Sequence, residues 1–126
     1  MGDATGTDTF PGFERCVEFL RSRDHAVMED GFSWLLERAP ELVEELLALA
    51  EAEEDDRDRV TFIDLLGGTK SRRVVPFLER MLRHPHAETR WFALLSLEEL
   101  GFPETIALAR AYRRDHPGEY GPEADG

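Results

Sequence analysis

A pattern that recurs after 34 residues constrains the fold of this chain more than any other feature of its sequence. When the sequence is shifted by 34 positions, three apolar residues and a glycine fall on residues of the same kind: Val60, Ile63, Leu66 and Gly67 on Leu94, Leu97, Leu100 and Gly101. A shift of 63 places Pro40-Glu41 on Pro103-Glu104 and indicates a third, weaker copy. Periods in the low thirties with two helices per repeat are typical of α-solenoids, in which each hairpin buries its apolar face only against its neighbours.

Apolar residues spaced at i, i+3, i+4 and i+7 between proline and glycine breaks predict seven helices and no strand. We therefore predict an all-α fold: a short α-solenoid of about three helical hairpins plus an N-terminal helix. The apolar content further predicts a flexible N-terminus at 1–9, a single helical-repeat domain at 10–115 and a flexible tail at 116–126.

Proline and glycine indicate where several helices begin and end. The first helix is expected to have Asp8 or Thr9 near its N-cap and Pro11 close to its first position. The fourth is expected to stop at Gly67-Gly68, with a glycine in the left-handed conformation. Pro76 falls within the early turns of the fifth helix, where we expect it to remove one hydrogen bond and bend the helix.

The charge of the chain limits its partners. Its 15 basic and 27 acidic residues give a net charge of −12, which repels phosphate backbones and anionic lipid and favours basic partners. Nucleic acid and membrane are therefore not expected as partners, and no apolar run is long enough to span a bilayer. A single cysteine, Cys16, and the lack of a leader-like N-terminus predict a cytoplasmic location.

Three segments carry a resemblance to a known family. Thr89–Gly101 resembles the first helix of a bacterial HEAT repeat, and Leu65–Gly67 with Val74–Leu82 resembles the end of one first helix and the whole second helix of another. The resemblance covers about 57–114 well and 24–53 loosely, where the first copy looks like a degenerate cap. It implies a scaffold or binder, since only a minority of HEAT proteins are enzymes, such as bilin lyase subunits and alkylpurine DNA glycosylases.

Two features of the sequence have residue types that are capable of metal binding or catalysis. Some of the spacing of a metal site is found in three histidines and one acid: His84, His86, Glu88 and His116. No second pair of ligands supports a metal, so a polar turn between helices is the better interpretation. Cys16 lies in the apolar stripe of the first helix, which favours a buried side chain over a nucleophile paired with His25. We predict no catalytic residue, no metal site and no cofactor.

The glycosylase-like alternative needs a basic groove, and one segment has the right charge. Residues 70–83 hold five basic residues against Glu79, a balance of +4, whereas residues 41–58 hold nine acids against Arg57, a balance of −8. Because these segments include second helices of neighbouring repeats, their charges are expected to pair with each other rather than to bind phosphate.

Trp91 and Leu95 are the main candidates for a binding surface. If Ala93 and Leu97 face the core, residues two positions away point to another side of the helix. Either the solenoid or the tail with Tyr120 covers this pair, or a partner binds it. The predicted protein-binding residues are this pair, four arginines around it and three arginines of the preceding second helix: Trp91, Leu95, Arg90, Arg110, Arg113, Arg114, Arg72, Arg73 and Arg80.

The leading functional prediction is a non-enzymatic module that binds another protein with a basic surface. One concrete version is an inhibitor or immunity-type protein that neutralises a basic toxin. Two alternatives stay open: a HEAT-like enzyme or lyase subunit that acts on a small molecule, and a structural subunit that forms a homodimer through Trp91 and Leu95.

Overall fold

The computed structural model describes residues 9–119, which form α-helices, two short 3-10 helices and no strand. In chain order the α-helices are α1 Phe13–Leu20, α2 His25–Arg38, α3 Val43–Ala52, α4 Asp56–Gly67, α5 Val75–Met81, α6 Ala87–Leu100 and α7 Pro103–Asp115. The 3-10 helices, Ala39–Glu41 and Arg72–Val74, precede α3 and α5. The seven predicted helices and the all-α class are confirmed.

The chain divides into two compact units, Met1–Glu37 and Arg38–Gly126. In the first unit, α1 and α2 approach so closely at Gly31 that a β-carbon there would lie 2.7 Å from the Cys16 carbonyl oxygen. Cys16 and Leu35 are fully buried, as expected for apolar core positions, but Leu36 is 42% exposed. The boundary between the units falls inside residues 24–53, the segment that only loosely resembles a repeat.

The first helix begins later than the sequence predicts. Its N-cap is Gly12, whose φ of 107° is a conformation that glycine adopts at little cost. Thr9 and Pro11, expected near the N-cap and close to the first helical position, lie three residues and one residue before the cap, because Gly12 redirects the chain into α1. Asp8, the alternative cap, lies outside the described residues.

In the second unit the helices stack in the order expected of repeated hairpins. α4 packs on α6, which also contacts α5 and α7, while α3 packs on α4. The fully buried side chains come from both halves of the hairpins and include Leu46, Phe62, Ile63, Leu66, Leu78, Leu94 and Leu97. The predicted short all-α solenoid is therefore confirmed.

Gly67 has a different role from the one that its sequence suggests. It is the last residue of α4, which therefore ends at Gly67-Gly68 as predicted, but Gly68 has a φ of −86° and neither glycine supplies a left-handed cap. A β-carbon at Gly67 would lie 3.0 Å from the hydroxyl of Ser96, which means that this glycine permits α4 and α6 to approach. The left-handed residue of this turn is Lys70, with a φ of 58°, whereas Gly101 does cap α6 in that conformation with a φ of 73°.

Pro76 does not bend a helix. The segment from Arg72 to Val74 is a 3-10 helix, and Pro76 lies in the first turn of α5. A proline at that position removes no helical hydrogen bond, because the first amides of a helix have no intrahelical acceptor. The prediction of a lost bond and a bend within one helix is therefore wrong.

The ends predicted to be flexible lie mostly outside the described residues. Of 116–126, the structure describes 116–119, and the Glu119 amide donates to the carbonyl of His116 at 3.1 Å. None of the described helices is both long and apolar enough to cross a membrane.

Candidate protein-binding surface

Trp91, Leu95 and Glu98 lie on one face of α6, which we call the Trp91 face. Their spacing of four and three residues brings them into one row along the helix. All three are half-buried, whereas Ala93 and Leu97 are completely buried on the core side. The structure thus places Trp91 and Leu95 away from the centre of the core, at a partly open edge of the terminal hairpin.

Arg113 of α7 partly covers this face. Its guanidinium carbon lies 5.6 Å from the centre of the Trp91 ring, within the range of a cation–π contact. The same guanidinium binds both carboxylate oxygens of Glu98, at 2.7 and 3.1 Å. The cover that Trp91 was expected to need therefore comes at least in part from α7, while Tyr120, the proposed alternative, lies outside the described residues.

The other arginines predicted around Trp91 have different surroundings. Arg110 is exposed and makes no ion pair with the described residues, and Arg114 is exposed beside Asp115 at 3.6 Å. Arg90 is only 21% exposed and turns to the other side of α6, where it donates to the carbonyl oxygens of His84 and Pro85 at 2.7 and 3.0 Å. Arg90 thus belongs to a separate cleft.

That cleft lies between the loop before α6 and the last turns of α7 and encloses about 440 Å³. On one wall Nη2 of Arg90 lies 2.5 Å from a carboxylate oxygen of Glu119, and the Tyr112 hydroxyl donates to the other oxygen. The ring of Tyr112 stacks on His116 with centroids 4.2 Å apart. The rest of the lining has four small or apolar side chains and four polar or charged ones: Leu82, Pro85, Leu108, Ala111, Glu79, Arg83, His84 and Asp115.

The electrostatics of the cleft keep Tyr112 protonated and Glu119 ionised. Burial, followed by the hydrogen bond and charge of Glu119, raises the pKa of Tyr112 to about 12. Burial opposes the charge of Glu119, but hydrogen bonds from Arg90 and Tyr112 outweigh it and lower the pKa of this carboxyl. Sequence reasoning missed the site, because Glu119 belongs to a segment without apolar periodicity.

The three arginines of the preceding second helix and its 3-10 turn pair with acids of neighbouring elements. Arg73 binds both carboxylate oxygens of Glu44 at 2.8 and 3.1 Å, and Arg80 lies 3.5 Å from Glu51. Arg72 pairs with Glu104 and lies 4.0 Å from the centre of the Phe102 ring. The expected pairing of 70–83 with 41–58 is thus formed by Arg73 and Arg80, whereas Arg72 pairs outside 41–58, and such exposed pairs contribute little to stability.

The His84-Pro85-His86 segment is a polar turn that begins α6. His86 is the N-cap, and its Nδ1 accepts from the amide of Thr89 at 3.3 Å. Nδ1 of His84 in turn accepts from the His86 amide at 3.0 Å. Within residues 9–119, no three histidine, cysteine or acidic side chains are placed to hold a metal ion together.

Comparison with known proteins identifies the repeats. A family model described as HEAT repeats matches residues 43–120, which begin at α3 and include the Trp91 face and the cleft. Searches of curated proteins and of solved structures found no match. The family match covers more than half of the sequence and coincides with the stacked helices α3 to α7. This chain therefore belongs to the HEAT-repeat family.

Proposed function

We propose that this protein is a non-enzymatic module that recognises another protein through the Trp91 face. HEAT repeats generally serve in protein interaction or as scaffolds, and the family is typically non-enzymatic. The observation that carries the proposal is Trp91 itself, a large aromatic side chain held half-exposed on a helix of the repeat region. Tryptophan and arginine are enriched among the residues that dominate binding energy at protein interfaces.

The chemistry around Trp91 supports this use. Arg113 is fixed by Glu98 and lies over the indole, so neither side chain loses much conformational freedom when a partner binds. Arg110 and Arg114 are exposed on the same helix as Arg113. Leu95 extends the apolar area along α6.

We further propose that the partner has a basic surface. Most basic side chains between residues 38 and 119 already have a carboxylate within 4.0 Å, so they form no unneutralised basic patch. The net charge of −12 then acts on an approaching protein as an attractive field for positive charge. An inhibitor or immunity-type protein for a basic toxin is one form of this proposal.

Affinity capture with matched tryptophan variants tests both parts. Wild type, Trp91→Ala and Trp34→Ala are immobilised at equal density and exposed to native lysate at low and high salt. We expect wild type and Trp34→Ala to retain a basic protein at low salt. High salt should release this protein, and Trp91→Ala should fail to retain it. Equal retention by all three proteins would show that the partner does not bind the Trp91 face. A strongly acidic partner would contradict the proposed basic surface.

The two alternatives make different predictions. An enzyme or lyase subunit would be stabilised by its small-molecule ligand, so a thermal-shift screen against metabolites would give a concentration-dependent rise in Tm. A homodimer through Trp91 and Leu95 would show a molecular mass that rises with protein concentration and that Trp91→Asp returns to the monomer value. Light scattering of the purified protein therefore separates self-association from binding to another protein.

A further inference from the structure

The cleft beside α7 holds a carboxylate on two donors that other contacts fix in place. Nη1 of Arg90 is occupied by the carbonyl oxygens of His84 and Pro85, which leaves Nη2 directed at Glu119, 2.5 Å from its carboxylate. The second donor, the Tyr112 hydroxyl, belongs to a ring stacked on His116. Because neither donor depends on Glu119 for its position, the site is already formed for any carboxylate that replaces it.

This site requires an anion. The Arg90 side chain is only 21% exposed, and a largely buried guanidinium is strongly destabilising when no negative charge lies next to it. Burial keeps the Tyr112 phenol protonated through the physiological pH range by raising its pKa to about 12, so this group donates and carries no charge. Removal of Glu119 therefore leaves a positively charged site with two directed donors and no acceptor.

Glu119 itself is held by few contacts. It follows Pro117 and Gly118 beyond the end of α7, and its amide makes one backbone hydrogen bond, to His116. A β-carbon at Gly118 would have no atom within 4 Å, so the chain at this point is not packed against the helices. Segments with few buried contacts open at low cost in free energy, which allows the carboxylate to exchange.

The cleft has more room than a single carboxylate uses. Its volume of about 440 Å³ lies within the range of ligand pockets, and its apolar lining is provided by both α7 and the loop before α6. Two other carboxylates, Glu79 and Asp115, also line it. These two carboxylates outnumber Arg83, the other arginine of the lining, and so disfavour a second negative charge; the cleft therefore fits a single acidic side chain flanked by neutral residues.

We propose that this cleft is an exchangeable binding site for one glutamate or aspartate side chain of another polypeptide, and that Glu119 is its internal occupant. Arg90 and Tyr112 bind the incoming carboxylate as they bind Glu119, and the apolar wall contacts the neutral residues beside it. The proposal goes beyond the proposed function, because it does not involve the Trp91 face and does not require a basic partner.

The test uses a peptide with the sequence around Glu119. Acetyl-Pro-Gly-Glu-Tyr-amide and its Gln counterpart are titrated into wild type and Glu119→Gln, and binding is followed by NMR at the backbone amides of 84–90 and 112–116. We expect Glu119→Gln to bind the Glu peptide roughly ten- to a hundredfold more tightly than the Gln peptide. This is the gain in affinity that a charge-assisted hydrogen bond to the carboxylate provides. Wild type should bind the Glu peptide more weakly than the variant, because Glu119 competes.

Three controls define the result. Tyr112→Phe in the Glu119→Gln background keeps the ring but removes the donor, and should weaken the Glu peptide about tenfold and the Gln peptide less, because the neutral amide oxygen is the weaker acceptor. Trp91→Ala should bind both peptides as wild type does. The peptide titration therefore tests the cleft independently of the proposed role of the Trp91 face. Propionate tests whether a free acid suffices, and affinity equal to that of the Glu peptide would overturn the proposed polypeptide ligand.

Equal binding of the Glu and Gln peptides would show that Glu119 is only a structural latch and would overturn the proposal. Arg90→Gln is not the primary variant, because Arg90 also holds the loop before α6. If Glu119→Gln is too unstable for titration, the comparison of the two peptides on wild type still decides the question. Only the Glu peptide should then shift the Arg90 and Tyr112 amides.

Discussion

Gly67 and Ser96 bring α4 and α6 into close contact: a β-carbon at Gly67 would lie 3.0 Å from the Ser96 hydroxyl oxygen and 3.1 Å from its Cα. The same hydroxyl donates to the buried carbonyl of Ile63 at 2.8 Å. Two small residues thus permit the first helices of successive repeats to pack closely, and a side-chain hydrogen bond joins them.

Gly67→Ala should destabilise the protein by up to about 2 kcal/mol, although alanine is the better helix former. Overpacking of a close contact costs roughly 1–3 kcal/mol, and the gain in helix propensity of about 1 kcal/mol offsets only part of it. Backbone atoms of Ser96 are among those that the new methyl group would meet, so a change of side-chain rotamer cannot relieve the contact.

Urea unfolding followed by circular dichroism measures this difference. Gly118→Ala is the matched control, because a β-carbon there meets no atom within 4 Å, and its free energy of unfolding should equal that of wild type. An alanine at 67 that is neutral or stabilising would show that α4 and α6 can move apart at little cost.

Asp64→Asn should stabilise the protein at neutral pH. Desolvation of its carboxyl group and then the negative charge of Glu99 raise the pKa of Asp64 above its ordinary value of 3.8, although the residue as a whole is exposed. The folded state therefore favours the protonated acid, and the stability present below pH 3.8 is lost as the pH rises through the raised folded pKa. Asparagine removes that loss because it does not ionise.

The difference in Tm between Asp64→Asn and wild type should be positive at pH 7 and should shrink as the pH falls toward 3.8. Glu54→Gln provides the control, since it removes one negative charge at an exposed position of the α3–α4 loop. An equal rise in Tm for both variants would indicate a general effect of net charge rather than the environment of Asp64.

How much of this fold could be predicted from the sequence depends on how locally each feature is encoded. The apolar spacing of Leu94, Leu97 and Leu100 predicts a helix and its buried face, because both follow from geometry within one helix. The sequence correctly predicts that α4 ends at Gly67, but not that this glycine lies in a close helix contact, since a glycine that only ends a helix looks the same in one sequence. Only the neighbouring helix distinguishes them.

The candidate sites divide in the same way. The separation of Trp91 from the core side of α6 follows from helical periodicity, but its contact with Arg113 depends on how α7 crosses α6, which the spacing along one helix does not specify. The cleft combines Arg90, Tyr112 and Glu119 from three separate segments. None of these carries a local motif, so only the packing of α6 and α7 brings them together.

His84 should make stability depend on pH between neutral and mildly acidic conditions. Burial and then the positive charge of Arg59 lower its pKa from the ordinary value of 6.5, and its Nδ1 must stay unprotonated to accept from the His86 amide. A lowered histidine pKa gives stability that is present above pH 6.5 and is lost as the pH falls toward the folded pKa, because the unfolded chain takes up the proton first.

Urea unfolding at several pH values between about 7 and 5 compares wild type with His84→Asn, whose side chain retains an acceptor but does not titrate in this range. We expect wild type to lose more free energy of unfolding than the variant over this interval. The three other histidines are common to both proteins, so they cancel in the comparison. Identical slopes would contradict a lowered pKa at His84.

Tyr112 should ionise unusually late. Burial, followed by the hydrogen bond and the charge of Glu119, raises its pKa from 10.0 to about 12. The neutral phenol is thus favoured by folding, and the stability it provides is present below pH 10 and is lost as the pH rises toward 12. In a Tyr120→Phe background Tyr112 is the only tyrosine, so the absorbance of phenolate reports on it alone.

Phenolate absorbance should stay low while circular dichroism shows that the chain remains folded, and should rise with a midpoint near 12. Glu119→Gln should move that midpoint part of the way toward 10, because it removes the second and third causes of the shift but not the burial of the ring. A folded wild-type midpoint near 10 would mean that Tyr112 does not donate to Glu119. The cleft would then lack one of the two donors by which it binds a carboxylate.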